Sequence, residues 1–238
     1  PNLPSSGIPW MVPKSDMFDT TELNPEWSFL GYTPDDSYSL AERNGWLTLH
    51  PYQGNNTVIK NDGEHYYSLI TRVDFEPESE ADEAGLWIIN GPETLEAKMY
   101  STENSSSNKV LKFNFDQTSF EVDNTVGSIV WLKLVRDYHT VSGYYSSNGD
   151  SWIQLGNPID ATAIDREQTQ FNDFTGNQQG LYVKGKSADF DLYIYRDAYS
   201  SIAAQAPANH YGVSCGTNYL GNIQTGDWAM YAGVEFGG

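Results

Sequence analysis

The sequence predicts an all-β fold, a β-sandwich or jelly roll of two antiparallel sheets. Short apolar runs separated by turn residues recur from about residue 46, and no segment shows a convincing amphipathic helical period. Residues 131–155, "WLKLVRDYHTVSGYYSSNGDSWIQL", indicate three strands joined by two turns, the second at residues 147–150. Many short strands at this spacing are typical of sandwiches and jelly rolls.

The predicted strands follow one another along the chain and end at proline, glycine or other turn residues. They are residues 46–49, 66–75, 84–89, 95–101, 109–115 and 119–122, the three strands of 131–155, and finally 180–185 and 188–198. Residues 51–57 and 156–179 are predicted to be polar loops.

Composition divides the chain into three parts. Residues 1–13 are rich in proline and small residues and are predicted to be a linker from a longer polypeptide. Residues 14–200 form the predicted sandwich. Residues 201–238 begin with a second small and polar linker, and the remaining tail is too short to bury a core of its own. We therefore expect Trp228, Tyr231 and Phe236 of this tail to pack against a partner surface.

Charge and composition narrow the classes of partner. The net charge of −19 argues against nucleic acid and anionic membranes, whereas a neutral polysaccharide is not repelled. Aromatic residues make up 14% of the chain, which suits a sugar-stacking surface and fits β-propensity equally well. The sequence shows no membrane-spanning run and no signal peptide. A single cysteine, Cys215, excludes an internal disulfide.

Catalytic motifs are weak, and no catalytic residue is assigned. A glycosidase needs two carboxyl groups about 5 to 9.5 Å apart. The dense acidic cluster at residues 78–83 follows Pro77 in a predicted turn, where charges are usually solvated. The four histidines lack metal-ligand spacing, and neither a nucleophile elbow nor a phosphate-binding glycine loop is present.

Four aspartates suggest a structural calcium site. Asp16 and Asp19 precede the first strand, and Asp189 and Asp191 lie in the last one. In jelly rolls these two strands often lie side by side, and calcium prefers several carboxylate oxygens. The alternative is that Asp16 and Asp19 simply cap a turn.

Candidate sugar-binding residues come from strand alternation. In the last strand Phe190, Leu192 and Ile194 are expected on one face, and Asp189, Asp191, Tyr193 and Tyr195 on the other. Tyr193 and Tyr195 on an open face would stack on a sugar, and Tyr144 and Trp228 are further candidates. A solvated outer face or a domain interface explains the same alternation equally well.

Several stretches together resemble a known family. They are "YSLAERNGWLTL" (38–49), "DEAGLWI" (82–88), residues 130–156 and "GLYVKGKSADFDLYIYRDA" (180–198). They resemble the concanavalin A-like β-sandwich that follows the catalytic propeller in glycoside hydrolases of family forty-three, which include β-xylosidases and α-L-arabinofuranosidases. Such modules are also classed as carbohydrate-binding, family ninety-one, with xylan as the usual ligand.

The resemblance implies an accessory module whose partners are xylan or arabinoxylan and the catalytic propeller of the parent enzyme. The catalytic acids of that family lie on the propeller, so none is carried over. An extracellular or periplasmic location is expected. The alternatives are a non-binding buttress that completes the propeller active site, and a glycosidase of sandwich fold.

The tail resembles a second family. Residues 219–237 are similar to the early strands of a family six carbohydrate-binding module, with Asp227, Trp228, Tyr231 and Phe236 fitting its core pattern. Asn222 stands where that family often has a sugar-stacking aromatic residue, so the chain departs from the pattern there.

Overall fold

The computed structural model describes residues 15–29, 37–53, 55–61, 65–90, 95–165 and 177–197, and four short strands beyond residue 211. The main body is a sandwich of two seven-stranded sheets in which every paired strand is antiparallel, so the predicted fold class is confirmed. No helix of the described residues is long and apolar enough to cross a membrane.

Sheet I contains strands from both halves of the chain. In spatial order its strands are β1 (Ser28–Phe29), β4 (Asn55–Asn61), β13 (Asn177–Lys184), β6 (Glu83–Asn90), β7 (Leu95–Glu103), β8 (Lys109–Phe115) and β9 (Thr118–Asp123). Strand β13 therefore lies between two early strands, so the complete sheet I depends on pairings with the late part of the chain.

Sheet II carries the predicted meander at one edge. In spatial order its strands are β12 (Ile153–Asp160), β11 (Thr140–Ser146), β10 (Ile129–Asp137), β5 (Tyr66–Asp74), β14 (Ala188–Asp197), β3 (Leu47–Leu49) and β2 (Tyr38–Ser39). The alternation is clearest in β10, where Val130, Leu132 and Leu134 are buried and the residues between them are half-buried.

The core lies between the two sheets. It combines branched aliphatic residues with several whole aromatic side chains. Its largest fully buried members are Tyr193, Tyr195, Phe18, Phe113, Phe190, Leu47, Leu49, Leu69, Leu86, Ile88, Ile89 and Met99.

Strand β14 contains a bulge that reverses its alternation. Phe190 pairs with Val73 and Leu192 pairs with Arg72, so Asp191 is an extra residue in the ladder. A shift of one residue moves every later side chain to the opposite face. Tyr193 and Tyr195 are therefore 0% and 1% exposed, inside the sandwich. The prediction that they lie on an open face is wrong for this reason.

The first described residues lie beside β14, although the first strand, β1, belongs to sheet I and does not pair with β14. Asp16 and Tyr193 form an isolated antiparallel bridge in which each backbone N–H donates to the other carbonyl oxygen at 2.8 Å. The predicted polar loops are wider than the observed ones. Strand β4 begins within the first, and the second contains the end of β12, a short 3-10 helix (Thr162–Asp165) and the start of β13.

The tail forms two hairpins. One pairs β15 (Gly212–Cys215) with β16 (Asn218–Asn222), and the other pairs β17 (Trp228–Tyr231) with β18 (Val234–Gly237). The side chains of Trp228, Tyr231 and Phe236 lie outside the described residues. Their expected packing and the family six resemblance therefore stay predictions.

Candidate functional site

Sheet II presents four half-buried aromatic rings on its outer surface. Trp131 lies in β10 and Tyr144 in β11, while Trp46 and Trp152 directly precede β3 and β12. Trp131 pairs with Arg72, and Tyr144 pairs with Lys133, so these side chains share the side that faces away from the core. We call the surface carrying Trp46, Trp131, Tyr144 and Trp152 the aromatic face.

Two arginines join the first two rings of the aromatic face. The Arg43 guanidinium lies 3.6 Å from the centroid of the Trp46 ring. The Arg72 guanidinium lies 5.3 Å from the Trp46 centroid and 5.9 Å from the Trp131 centroid, so it sits between the two indoles. Arginine stacks well on aromatic rings and holds them in defined orientations.

Carboxylates neutralise both arginines. Arg43 Nη1 donates to Asp74 at 2.7 Å and to Asp189 at 3.0 Å, and Arg72 Nη1 donates to Asp191 at 3.0 Å. Desolvation lowers the pKa of Arg43, but the hydrogen bonds that Arg43 donates to Asp74 and Asp189 and the negative charges of these carboxylates together outweigh it, so the net shift is upward. This half of the aromatic face is therefore rich in hydrogen-bonding groups yet nearly balanced in charge.

The other half of the aromatic face is built around one lysine. Lys133 Nζ lies 4.6 Å from the centroid of the Tyr144 ring and 4.2 Å from that of the Trp152 ring. Burial lowers the pKa of Lys133, and the positive charge of Arg196 lowers it further. Gln154, which is exposed, pairs with Tyr144 across the strands and supplies an amide on the same side.

The turn between β11 and β12 supports the Trp131 ring. Ser146 Oγ accepts hydrogen bonds from the backbone N–H groups of Asn148 and Gly149, and Asn148 Oδ1 accepts from Asp150 and Ser151. Gly149 has a φ of 78°, and a Cβ there would lie 3.0 Å from the Trp131 ring. Glycine tolerates the positive φ and has no Cβ to crowd the Trp131 ring. The predicted turn therefore packs against one ring of the aromatic face.

The predicted calcium ligands are engaged elsewhere. Asp16 accepts hydrogen bonds from Phe18 N at 3.0 Å and Trp27 Nε1 at 2.8 Å, as the turn-capping alternative expects. Asp189 also accepts from Thr48 Oγ1 at 2.6 Å, in addition to its ion pair with Arg43. Across the part of the chain that the structure describes, no three His, Cys, Asp or Glu side chains form a metal-binding group. The structure therefore does not gather the four aspartates into one metal-binding group.

The acidic run at residues 78–83 is half solvated and half buried, with Glu78 and Glu80 exposed and Asp82 and Glu83 buried. Asp82 is 8% exposed and accepts a hydrogen bond from Glu78 N, which closes the turn. Glu83 is also 8% exposed, on the outer surface of sheet I. It accepts from Lys98 Nζ at 2.8 Å and from the Tyr182 hydroxyl at 2.9 Å. Burial raises the pKa of Tyr182 strongly, and the charge of Glu83 adds to the rise.

Of the four predicted sugar-binding residues, only Tyr144 lies on the aromatic face. Tyr193 and Tyr195 are in the core, and the side chain of Trp228 lies outside the described residues. Sequence reasoning missed the three tryptophans that join Tyr144 there. The signal for Trp131 was present, because it alternates with buried Val130 and Leu132 in a strand that was correctly predicted.

A second aromatic cluster is exposed where β5 begins and β10 ends. Tyr66 and Tyr138 are 49% and 50% exposed, and their rings stack at 6.0 Å with an interplanar angle of 19°. His65 and His139, which looked unrelated in sequence, lie 5.6 and 3.8 Å from the Tyr138 ring. Tyr138 has a φ of 56°, an uncommon conformation for an aromatic residue, in the two-residue turn before β11.

The chain matches one known family along most of its length. A family model of the β-xylosidase C-terminal concanavalin A-like domain matches residues 15–196. No curated protein sequence matches the chain.

Solved structures share the sandwich. The GH43 protein BlXynB from Bacillus licheniformis is 26% identical to this chain, with a TM-score of 0.70. The aligned region covers 83% of this chain and 41% of the BlXynB chain. The xylan β-1,4-xylosidase from Bacillus halodurans is 26% identical with a TM-score of 0.68 and the same coverage. The xyloglucan PUL GH43B structure from Bacteroides ovatus, at 22% identity, 0.71 TM-score and the same coverage, supports the fold alone.

This chain thus spans about two fifths of the length of those three proteins, 41% in each case. The family match over residues 15–196 and the shared sandwich agree with the resemblance found in the sequence. On this basis the chain belongs to the family of β-xylosidase C-terminal concanavalin A-like domains.

Proposed function

We propose that this chain is an accessory module of a GH43 glycoside hydrolase and that its aromatic face binds or positions a xylan-type polysaccharide. The observation that carries the proposal is the row of half-buried rings of Trp46, Trp131, Tyr144 and Trp152 on one side of sheet II. Aromatic rings offer apolar faces to sugar rings, and the adjacent arginines, carboxylates and amide offer hydrogen bonds to hydroxyl groups.

The chemistry of the surface suits a neutral, extended ligand. The ion pairs of Arg43 and Arg72 leave little net charge beside Trp46 and Trp131, and a neutral polysaccharide is not repelled by a chain of charge −19. The surface is open rather than a deep pocket, so we expect modest affinity. The Bacillus halodurans neighbour is a xylan β-1,4-xylosidase, which supports xylan as the ligand class. A plant polysaccharide ligand also favours an extracellular or periplasmic location.

Retention on insoluble xylan tests the proposal. The 238-residue chain should be retained, and Trp46→Ala, Trp131→Ala and Trp152→Ala should each reduce retention while leaving the melting temperature close to that of the parent chain. Tyr138→Ser is the matched control, because Tyr138 is an exposed aromatic residue away from the aromatic face. Equal retention of the three tryptophan variants and the parent would contradict the proposal.

A non-binding structural role is the second candidate, and the Tyr66 and Tyr138 cluster favours it. Two stacked rings that are each about half exposed are suited to burial against another domain. The partner in that case is the catalytic domain of the parent enzyme. In a full-length enzyme, Tyr66→Ser with Tyr138→Ser should then lower activity or melting temperature and leave xylan retention unchanged. If the tryptophan variants alone have effects, the buttress is excluded.

A further inference from the structure

Lys133 lacks the ion pair with a carboxylate that most described lysines and arginines of this acidic protein form. Seven described lysines and arginines form an ion pair with at least one carboxylate, and they are Arg43, Arg72, Lys98, Lys109, Lys112, Lys184 and Lys186. Lys133 forms none with any carboxylate in the described ranges. In a chain with 32 acidic and 13 basic residues, a cation left without a carboxylate is an exception.

The surroundings of Lys133 keep its charge accessible on the aromatic face. The Tyr144 and Trp152 rings flank the ammonium group at 4.6 and 4.2 Å from their centroids. Arg196 lies in β14 on the same outer side, because it pairs with Ser68 after the bulge, and it is exposed. The outer surface around Lys133 is therefore locally positive, although the molecule as a whole is strongly negative.

We propose that Lys133, held between Tyr144 and Trp152, binds the carboxylate of an acidic sugar, a uronic acid carried on a xylan-type chain. This inference rests on the proposed function and names the ligand class of one end of the aromatic face. The ammonium group donates charge-assisted hydrogen bonds to the carboxylate, while the two rings contact the sugar and exclude water.

At physiological ionic strength, the attraction between Lys133 and the sugar carboxylate outweighs the repulsion of that carboxylate by the net negative charge of the chain. Repulsion by distant acidic residues is screened beyond about 8 Å at 0.15 M salt, whereas a contact between partly dehydrated groups is screened much less. Lys133 is partly dehydrated, because burial lowers its pKa. If Lys133 served only to cover the two rings, the aromatic face would show no preference between neutral and acidic sugars.

Calorimetry with two matched oligosaccharides tests the inference. One is a neutral xylo-oligosaccharide and the other is the same chain carrying a single glucuronic acid. The parent chain should bind the acidic one about tenfold more tightly, the lower end of what a hydrogen bond to a charged group provides. Lys133→Gln should remove the tenfold preference for the acidic sugar, and Lys133→Arg should retain most of that preference.

Lys112→Gln is the matched control, because Lys112 forms an ion pair with Glu121 on sheet I, away from the aromatic face. It should leave both affinities unchanged. Equal binding of the two sugars by the parent chain, or a preference that survives Lys133→Gln, would overturn the inference and leave the proposed function standing. Binding of neither sugar would overturn both. A melting curve for each variant verifies folding, and Lys133→Met serves as the second variant if Lys133→Gln is unstable.

Discussion

Replacing Tyr193 by alanine distinguishes the bulged strand of the structure from the regular strand that the sequence suggested. Tyr193 is 0% exposed, and its ring meets the Trp27 ring edge-on at 4.9 Å. Removing a buried aromatic side chain leaves a cavity and costs about 3–5 kcal/mol, of which an aromatic pair supplies roughly 0.5–1.5 kcal/mol. We therefore expect Tyr193→Ala to lower the free energy of unfolding by about 4 kcal/mol.

Urea denaturation followed by tryptophan fluorescence measures this loss. With a urea m-value of roughly 2–3 kcal/mol/M, at the upper end of the usual range because the domain is large, the midpoint should fall by about 1.5 M. Thermal unfolding should show a fall of roughly 10 °C, since each kcal/mol shifts the melting temperature of a domain of this size by about 2–4 °C.

Tyr144→Ala is the matched control, because Tyr144 is the same residue type half-buried on the outer surface of sheet II. Its cost should stay below about 1 kcal/mol. Equal costs for the two variants would refute the inward orientation of Tyr193 and restore the open-face prediction. If Tyr193→Ala fails to fold, Tyr193→Leu leaves a smaller cavity and allows the same comparison.

Four other outcomes are expected from the described contacts. Gly85→Ala should destabilise the chain by about 3 kcal/mol in urea, because the new Cβ would lie 2.3 Å from the Met99 carbonyl oxygen and the neighbouring backbone cannot yield easily. Glu83→Gln should cost about 2 kcal/mol by the same assay, because it removes the nearer of the two carboxylates paired with largely buried Lys98 and leaves only Glu96 at 3.4 Å, and a cost near zero would mean that the Glu83 pair is not formed. Excess chelator should leave the melting temperature unchanged, whereas a loss of about 2.7 kcal/mol, expected for a ligand at a hundred times its dissociation constant, would reveal a calcium site after all. The purified chain should release no product from aryl xylosides or arabinosides, and turnover would revive the sandwich glycosidase.

The apolar strands could be predicted from sequence because their signal is local. Strand β8 (Lys109–Phe115) was placed at its observed bounds, since apolar residues alternate between clear turn residues. The sequence predicts a loop over residues 51–57, which overlaps the start of strand β4 (Asn55–Asn61), because the strand sequence NNTVIKN begins with polar residues. It becomes a strand by pairing with β13, which lies more than a hundred residues away, and no local window contains that information.

The candidate site was harder to predict because it depends on register. In β14 alternation alone assigned Tyr193 to the outside, and one bulged residue, Asp191, reversed the assignment. Tyr144 was placed correctly because β11 pairs with β10 without a shift along the ladder. Trp46 and Trp152 directly precede their strands, so the alternation of side chains along a strand does not predict which way they point. Their position is seen only from the contacts with Arg43, Arg72 and Lys133.

Both sheets carry aromatic residues on their outer surfaces, but among the described residues the rings are covered on sheet I and half-buried on sheet II. On sheet I, Trp87 and Tyr182 stack at 5.0 Å and are 6% and 4% exposed, and Tyr182 is already hydrogen-bonded to buried Glu83. Both rings are covered and Tyr182 is hydrogen-bonded, so substitutions there should change stability rather than binding. On sheet II the rings are half-buried and Lys133 forms no ion pair with a described carboxylate. A half-buried ring beside a cation that forms no ion pair with a described carboxylate gains more from a ligand than a ring already covered. The aromatic face, rather than the larger number of buried aromatic residues, therefore carries the functional proposal.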